Sequence, residues 1–287
     1  MEDCKATPKH EVPTAALTSS TPSVLPEQQE DLFREVLLLL ESINCSYAVA
    51  GAFALRRHTG ICRDTKDMDV FLTSETASQV LPRFVEQGFQ CEVPDPNWLA
   101  KVHRDGYFVD LITGMSNGVI VVQDSWIQRS HPARLCGVES RVLAPEELLA
   151  SKLFVTRRER FDGSDIAHII YGTRGKLDWD RILALTGEHW ELLLWSLVLF
   201  RYVYPANSDY VPQTLWENLL GQFADAVRSP NPDAKFRGTL IDDAIFAIDV
   251  EEWGLVNLLA EQRIRSSKIQ YDGKGPDSSE CSAAAGE

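Results

Sequence analysis

The alternation of apolar and polar positions divides the chain into a mixed front half and a helical back half. Leu32, Val36, Leu39, Leu40 and Ile43 recur at helical spacing and predict a helix over 28–43, closed by Asn44. Tyr47 to Ala50 reads as a short buried strand leading into Gly51-Ala52 and a short helix. Met68, Val70, Phe71 and Leu72 mark a second buried strand. Ser74, followed by Glu75, reads as an N-cap for the stripe Ala77, Val80, Leu81, Phe84 and Val85, which Gly88 ends and Pro82 should kink. Two strand-like runs, 98–104 and 107–113, flank Asp105-Gly106, a dipeptide that suits a tight hairpin turn. Residues 134–143 predict a second hairpin, turning near Gly137.

Ala144-Pro145-Glu146-Glu147 opens a helix, with Pro at its first position and acid in its first turn, expected to run through Lys152 to about Arg158. Another helix is expected over 164–171. From Leu177 onward the pattern is mainly helical. The stripe Trp190, Leu193, Leu194, Leu197, Val198 and Arg201 is the clearest case, and 209–228 and 239–262 follow it. That stripe reads as core rather than as a base-stacking platform. Residues 1–26 are aperiodic and rich in Thr, Ser, Pro and Ala, and disorder is expected there and in the tail from 266 to 287. The expected fold class is α+β: a mixed β-sheet with flanking helices over 27–143, then a mainly helical domain over 144–265.

Composition narrows the partners. A hydrophobic content of 44% is ordinary for a globular protein, and a formal net charge of −14 disfavours a broad nucleic-acid surface. Cys4, Cys45, Cys62, Cys91, Cys136 and Cys281 show no metal-binding spacing and read as reduced thiols of a cytoplasmic protein. The first twenty residues hold no apolar run, so no secretory leader is expected. The longest apolar run, Leu192 to Phe200, is too short to span a bilayer, and no membrane partner is expected.

The reactive groups are carboxylates. Asp67 and Asp69 are two apart in a strand, so both point to one face. Two like charges in an apolar run repel and are poorly solvated, costs that a divalent cation offsets; the alternative is a solvent-facing strand edge or cap. Asp110, alone in Tyr-Phe-Val-Asp-Leu-Ile, is either a third metal ligand or half of a buried ion pair, for instance with Arg63. Asp105 is turn chemistry. Backbone N–H groups exposed after Gly51-Ala52 can hold phosphate oxygens.

Gly51-Ala52, then Arg63-Asp64-Thr65-Lys66-Asp67-Met68-Asp69, then the later Asp110, together resemble the nucleotidyltransferase signature of the DNA polymerase β superfamily. Ala52 stands where that pattern has Gly or Ser. Lys152, Arg157-Arg158-Glu159-Arg160 and Asp162-Gly163-Ser164-Asp165 are similar to the downstream segment of the abortive-infection (AbiEii-type) toxin nucleotidyltransferases, with Phe161 in place of a lysine. The resemblance covers roughly residues 30–170. It implies a nucleotidyltransferase-type fold and the transfer of a nucleoside monophosphate from an NTP, ATP among the candidates, to an acceptor hydroxyl on RNA, protein or a small molecule. It implies Mg²⁺, two ions, on Asp67, Asp69 and Asp110 as the catalytic residues. Gly51, Ala52, Arg63, Thr65, Lys152 and Arg158 become nucleotide-binding candidates and Asp165 a supporting residue. A toxin of this kind would have an antitoxin partner. A non-catalytic nucleotide-binding or protein-interaction module of the same fold is the alternative.

Overall fold

The computed structural model describes residues 25–157, 159–271 and 273; the expectations for 1–24, Arg158, 272 and 274–287 lie outside the described residues. A seven-stranded sheet forms the centre. Its strands are β1 (Ala48–Val49), β2 (Asp67–Phe71), β3 (Gln90–Asp95), β4 (Leu99–Arg104), β5 (Tyr107–Ile112), β6 (His131–Leu135) and β7 (Val138–Val142), in the order β3-β4-β5-β2-β1-β7-β6. The sheet is mixed: β2 runs parallel to β5 and β1 parallel to β7, and the other pairs are antiparallel. Both expected hairpins form. At the first, Asp105 and Gly106 take φ of 53° and 83°, the positive values that a two-residue turn needs to match strand twist.

One face of the sheet is apolar across its central strands. Met68 and Val70 on β2, Val109 and Leu111 on β5, and Ala100 and Val102 on β4 are completely buried, and α1 (Glu27–Ser42) and α3 (Ser74–Glu86) pack on the sheet. α1 turns Leu32, Phe33, Val36, Leu37 and Leu40 inward, leaving Ile43 beyond its end and exposed. The cap of α3 is Thr73 rather than Ser74: the Thr73 hydroxyl accepts from the Thr76 amide, one residue earlier than the sequence pattern suggests. α3 runs on through Pro82 to Glu86.

Two elements of the front half escaped sequence reading. β3 carries Pro94 and alternates exposed with half-buried residues, which hides a strand but suits a sheet edge. α4 (Asp124–Gln128) spans only five residues, burying Trp126 and Ile127.

Beyond Val142 the chain is helical apart from one ribbon. α5 (Pro145–Lys152) stops at Lys152 rather than near 158. The chain then forms a two-stranded ribbon, β8 (Thr156–Arg157) with β9 (Arg160–Phe161), before α6 (Gly163–Gly172). Backbone bonds from the Val155 amide to the Lys152 carbonyl and from the Asp162 amide to the Val155 carbonyl close this excursion. The Phe161 ring lies over Gly163, where any side chain would overlap it, and meets the Trp195 ring at 6.1 Å. α7 (Trp179–Thr186), a 3-10 turn at Gly187–His189, α8 (Trp190–Val203) and α9 (Gln213–Arg228) follow. By length and composition alone Trp179–Val203 could cross a membrane. Here it is two helices, whose Ile182, Leu193, Leu197 and Phe200 are fully buried.

The helix expected over 239–262 is instead three short ones: α10 (Gly238–Ile241), α11 (Ala247–Glu251) and α12 (Leu258–Arg265). The Asp242 carboxylate accepts from the amides of Ala244 and Ile245, Gly254 takes φ of 70°, and Asn257 caps α12. Each competes with a continuous helix. The tail expected to be disordered from 266 is packed over its first residues: Ile269 is buried, its amide donates to the Pro96 carbonyl, and the Gln270 amide donates to Ser78. One hydrophobic core runs from α1 to α9 and takes in Ile269, with no break at 143–144.

Candidate metal centre

The second face of the sheet carries charge. In the parallel β2–β5 ladder Asp69 is the direct partner of Asp110, and Asp67 lies two residues back on the same face as Asp69. One carboxylate oxygen from each of the three residues lies within 4.8 Å of the others. The residues sit in this strand because the alternate positions, Met68 and Val70, are committed to the apolar face, which leaves 67 and 69 no choice of side. Thr65 fixes Asp67, its hydroxyl 2.8 Å from the Asp67 carbonyl and 3.1 Å from the carboxylate.

The electrostatics reflect crowding. Burial pushes the Asp69 carboxyl up to about 7, and the charges of Asp67 and Asp110 add to it. Burial likewise raises Asp110, against the opposing pull of Lys101. A hard cation among these oxygens relieves both the repulsion and the poor solvation, so the donor set fits Mg²⁺.

α2 (Gly51–Thr59) begins beside the carboxylates. The Ala50 amide donates to the Asp69 carbonyl, and Gly51 then takes φ of 53°. A Cβ at Gly51 would overlap the Asp69 carboxylate, so glycine is required twice over, by backbone angle and by space. Ala52 is not among the residues with positive φ. Alanine there costs nothing in backbone strain.

A buried ionic group borders the acids. Lys152 Nζ lies 2.9 Å from Asp162 and 2.7 Å from Asp165, with all three side chains about nine-tenths covered. Lys152 is thus no exposed helix lysine. Asp165 also takes Arg63, at 2.5 Å, whose guanidinium lies 3.3 Å from His168 Nδ1; the arginine weighed as a partner for Asp110 is engaged here. Arg160 grips Asp162 with two hydrogen bonds of 3.1 Å. Burial alone would raise the Asp162 carboxyl, but Arg160 and Lys152 hold it below its ordinary value. Lys152 and Arg160 both favour the ionised form of Asp69, which puts them within electrostatic reach of the cluster. Arg157 points elsewhere, to the Ser116 hydroxyl at 2.7 Å.

The structure therefore brings Asp67, Asp69 and Asp110 together beside Gly51 and Ala52, sets Thr65 beneath Asp67, and joins Lys152, Asp165 and Arg63 in one network. Sequence reasoning missed Lys101, whose Nζ lies 2.5 Å from Asp110. The signal was present: pairing back from the two-residue turn, Arg104 meets Tyr107 and Lys101 must meet Asp110.

No protein-family model matches the chain, and no curated protein matches it. Solved structures similar to it include the lincosamide antibiotic adenylyltransferase LnuA with lincomycin bound, at 17% identity and TM-score 0.36, covering 50% of this chain and 96% of that one. The antibiotic-resistance factor ANT(2'')-Ia is 13% identical at TM-score 0.42, covering 63% and 96%. An antigenic nucleotidyltransferase-like protein from Paracoccidioides brasiliensis is 19% identical at TM-score 0.41, covering 65% and 95%.

Proposed function

We propose that this protein transfers a nucleoside monophosphate from an NTP to an acceptor hydroxyl, releasing pyrophosphate. The observation that carries this reading is the convergence of Asp67, Asp69 and Asp110 beside the first turn of α2. The three carboxylates would hold Mg²⁺, two ions when substrate is present. Metal bound there supplies positive charge against the polyphosphate and acidifies the acceptor hydroxyl.

The chain's own groups divide the rest of the work. Amides at the start of α2, from Gly51 and Ala52, would bind phosphate oxygens, helped by the positive end of the helix dipole. Lys152 and Arg160 would offset phosphate charge, and Arg158, which lies outside the described residues, is proposed for the same role from its place in the Arg157–Arg160 sequence. Asp165 orients Lys152, Arg63 steadies Asp165, and Thr65 holds Asp67 in place. The acceptor oxygen attacks the α-phosphorus, its proton passes to an Asp110 carboxylate oxygen, and the bond to the pyrophosphate oxygen breaks. A net charge of −14 disfavours extended RNA as the acceptor and leaves a local RNA contact to the arginines of 157–160. A toxin held by an antitoxin is a narrower form of the same reading; growth arrest on expression, relieved by Asp69→Ala, would support it.

The test is incubation with Mg²⁺ and each α-labelled NTP against RNA, protein and metabolite pools. Wild type should label one pool, and Asp67→Ala should lower the rate at least a hundredfold. Equal labelling by the two proteins would overturn the assignment of the site. Metal-dependent NTP binding with no labelled product would favour the nucleotide-binding module.

A further inference from the structure

Lys101 is the direct cross-strand partner of Asp110 in the β4–β5 ladder, and its Nζ lies 2.5 Å from Asp110 Oδ1. The same ammonium sits 4.0 Å from the centre of the Phe108 ring, two residues along β5 on the same face. A ring face is a favourable seat for a cation whose other side is taken by a carboxylate. The Lys101 and Asp110 side chains are only 20% and 14% exposed. Asp67 and Asp69 have no such partner: among the described residues no cation is in salt-bridge contact with either.

The geometry points to Lys101 as a resident substitute for one of two divalent ions. Its ammonium neutralises Asp110 in the resting protein, so the site takes up one ion, through Asp67 and Asp69. The second ion enters only when a bound triphosphate brings further negative charge, which offsets the added cation and lets that cation compete with the lysine for Asp110. The charge balance supports this order. With a metal bound and all three carboxylates ionised, they and the one ammonium in contact with them leave two net negative charges for one divalent ion to cancel, the charges of Lys152 and Arg160 being taken by Asp162 and Asp165. A second ion without nucleotide would leave the centre positive and would place a hard cation beside a fixed ammonium. Lys101 is thus a positioning residue: it acts on the metal complement through Asp110. The inference rests on the metal-dependent reading above, and its test is separable from that reading.

The experiment counts Mn²⁺ bound to the full chain without nucleotide, by the electron paramagnetic resonance of the free ion and by titration calorimetry. Wild type should bind one ion. Lys101→Met should bind two, or bind the second at least tenfold more tightly. Lys101→Arg, which keeps the charge, should return to one; a purely structural role for the lysine would not produce that split. Two ions in wild type, or the same count and affinity in wild type and Lys101→Met, would overturn the inference. If Asp67→Ala binds Mn²⁺ as wild type does, the metal site itself is misassigned and the inference falls with it. Should Lys101→Met fail to fold by circular dichroism, Lys101→Gln makes the same comparison, since its amide can still donate to Asp110 without bringing charge.

Discussion

Gly51 is the residue on which the acidic cluster most directly depends. Gly51→Ala would force a strained backbone angle and push the Asp69 carboxylate aside. We expect a stability loss of about 1–3 kcal/mol and at least tenfold weaker Mn²⁺ binding, measured by urea denaturation and calorimetry. Ala52→Gly should leave metal binding unchanged. His58 gives a different kind of prediction. Its Nε2 donates to the Leu143 carbonyl at 2.7 Å, and burial pushes its pKa down to about 4. The unfolded chain takes up this proton near pH 6.5 and the folded chain only near 4, so the folded state loses stability as pH falls through that window. The loss should reach about 3 kcal/mol. Denaturation curves at pH 7, 5.5 and 4.5 should show a steeper decline for wild type than for His58→Gln, and parallel declines would contradict the assignment. The three aspartates were legible in the sequence because a strand's period of two sorts side chains without help from the rest of the fold. Lys101 was equally legible, but only to a reading that counts pairs back from Asp105-Gly106.

Among the elements, the ribbon of β8 and β9 depends on Lys152. Removing its ammonium leaves Asp162 and Asp165 buried with only their arginine partners. Lys152→Met should cost about 3 kcal/mol, because breaking a buried pair strands the remaining charge. Adding Asp165→Asn should recover part of that loss, and no recovery would show that the two residues are not coupled. This ribbon was not legible in advance. Strands of two residues have no period, and an arginine-rich turn after a helix reads as more helix until its contacts with Val155, Gly163 and Trp195 are known. The three short helices after 238 were obscured for a related reason: a side-chain bond at Asp242 and the positive φ at Gly254 outweigh a weak apolar period. The longer elements, α1 and the two hairpins, were readable because pattern and turn chemistry agree there.

At the scale of the whole molecule, one hydrophobic core runs past the position where a helical domain was expected to begin. The core passes from the sheet into α5, α6 and α8 without interruption. α12 and the chain after it return to the β3–β4 turn, where Arg263 of α12 pairs with Asp95 and Ile269 is buried. Urea denaturation followed by fluorescence and by circular dichroism should therefore give coincident single transitions over 25–271, whereas two separated transitions would restore a boundary near 143. Ile269→Asp should lower the midpoint by placing a carboxylate in an apolar site, at a cost of about 2–4 kcal/mol. The mixed sheet with flanking helices was foreseeable from alternating patterns. The return of the tail was not, because a single isoleucine in a polar stretch carries no periodic signal.

The turn at Asp105-Gly106 has a further consequence for anyone altering this protein. It acts as a ruler for the ammonium. If the turn itself stays at two residues, adding one residue beside it reverses the parity of β4, sending the amine of Lys101 into the layer filled by Met68 and Val109 and delivering Val102 to the carboxylates. Adding two would keep the parity and slide the amine one step along the strand. Loop length, rather than any change at the lysine itself, is therefore a second handle on how many ions the carboxylates can share.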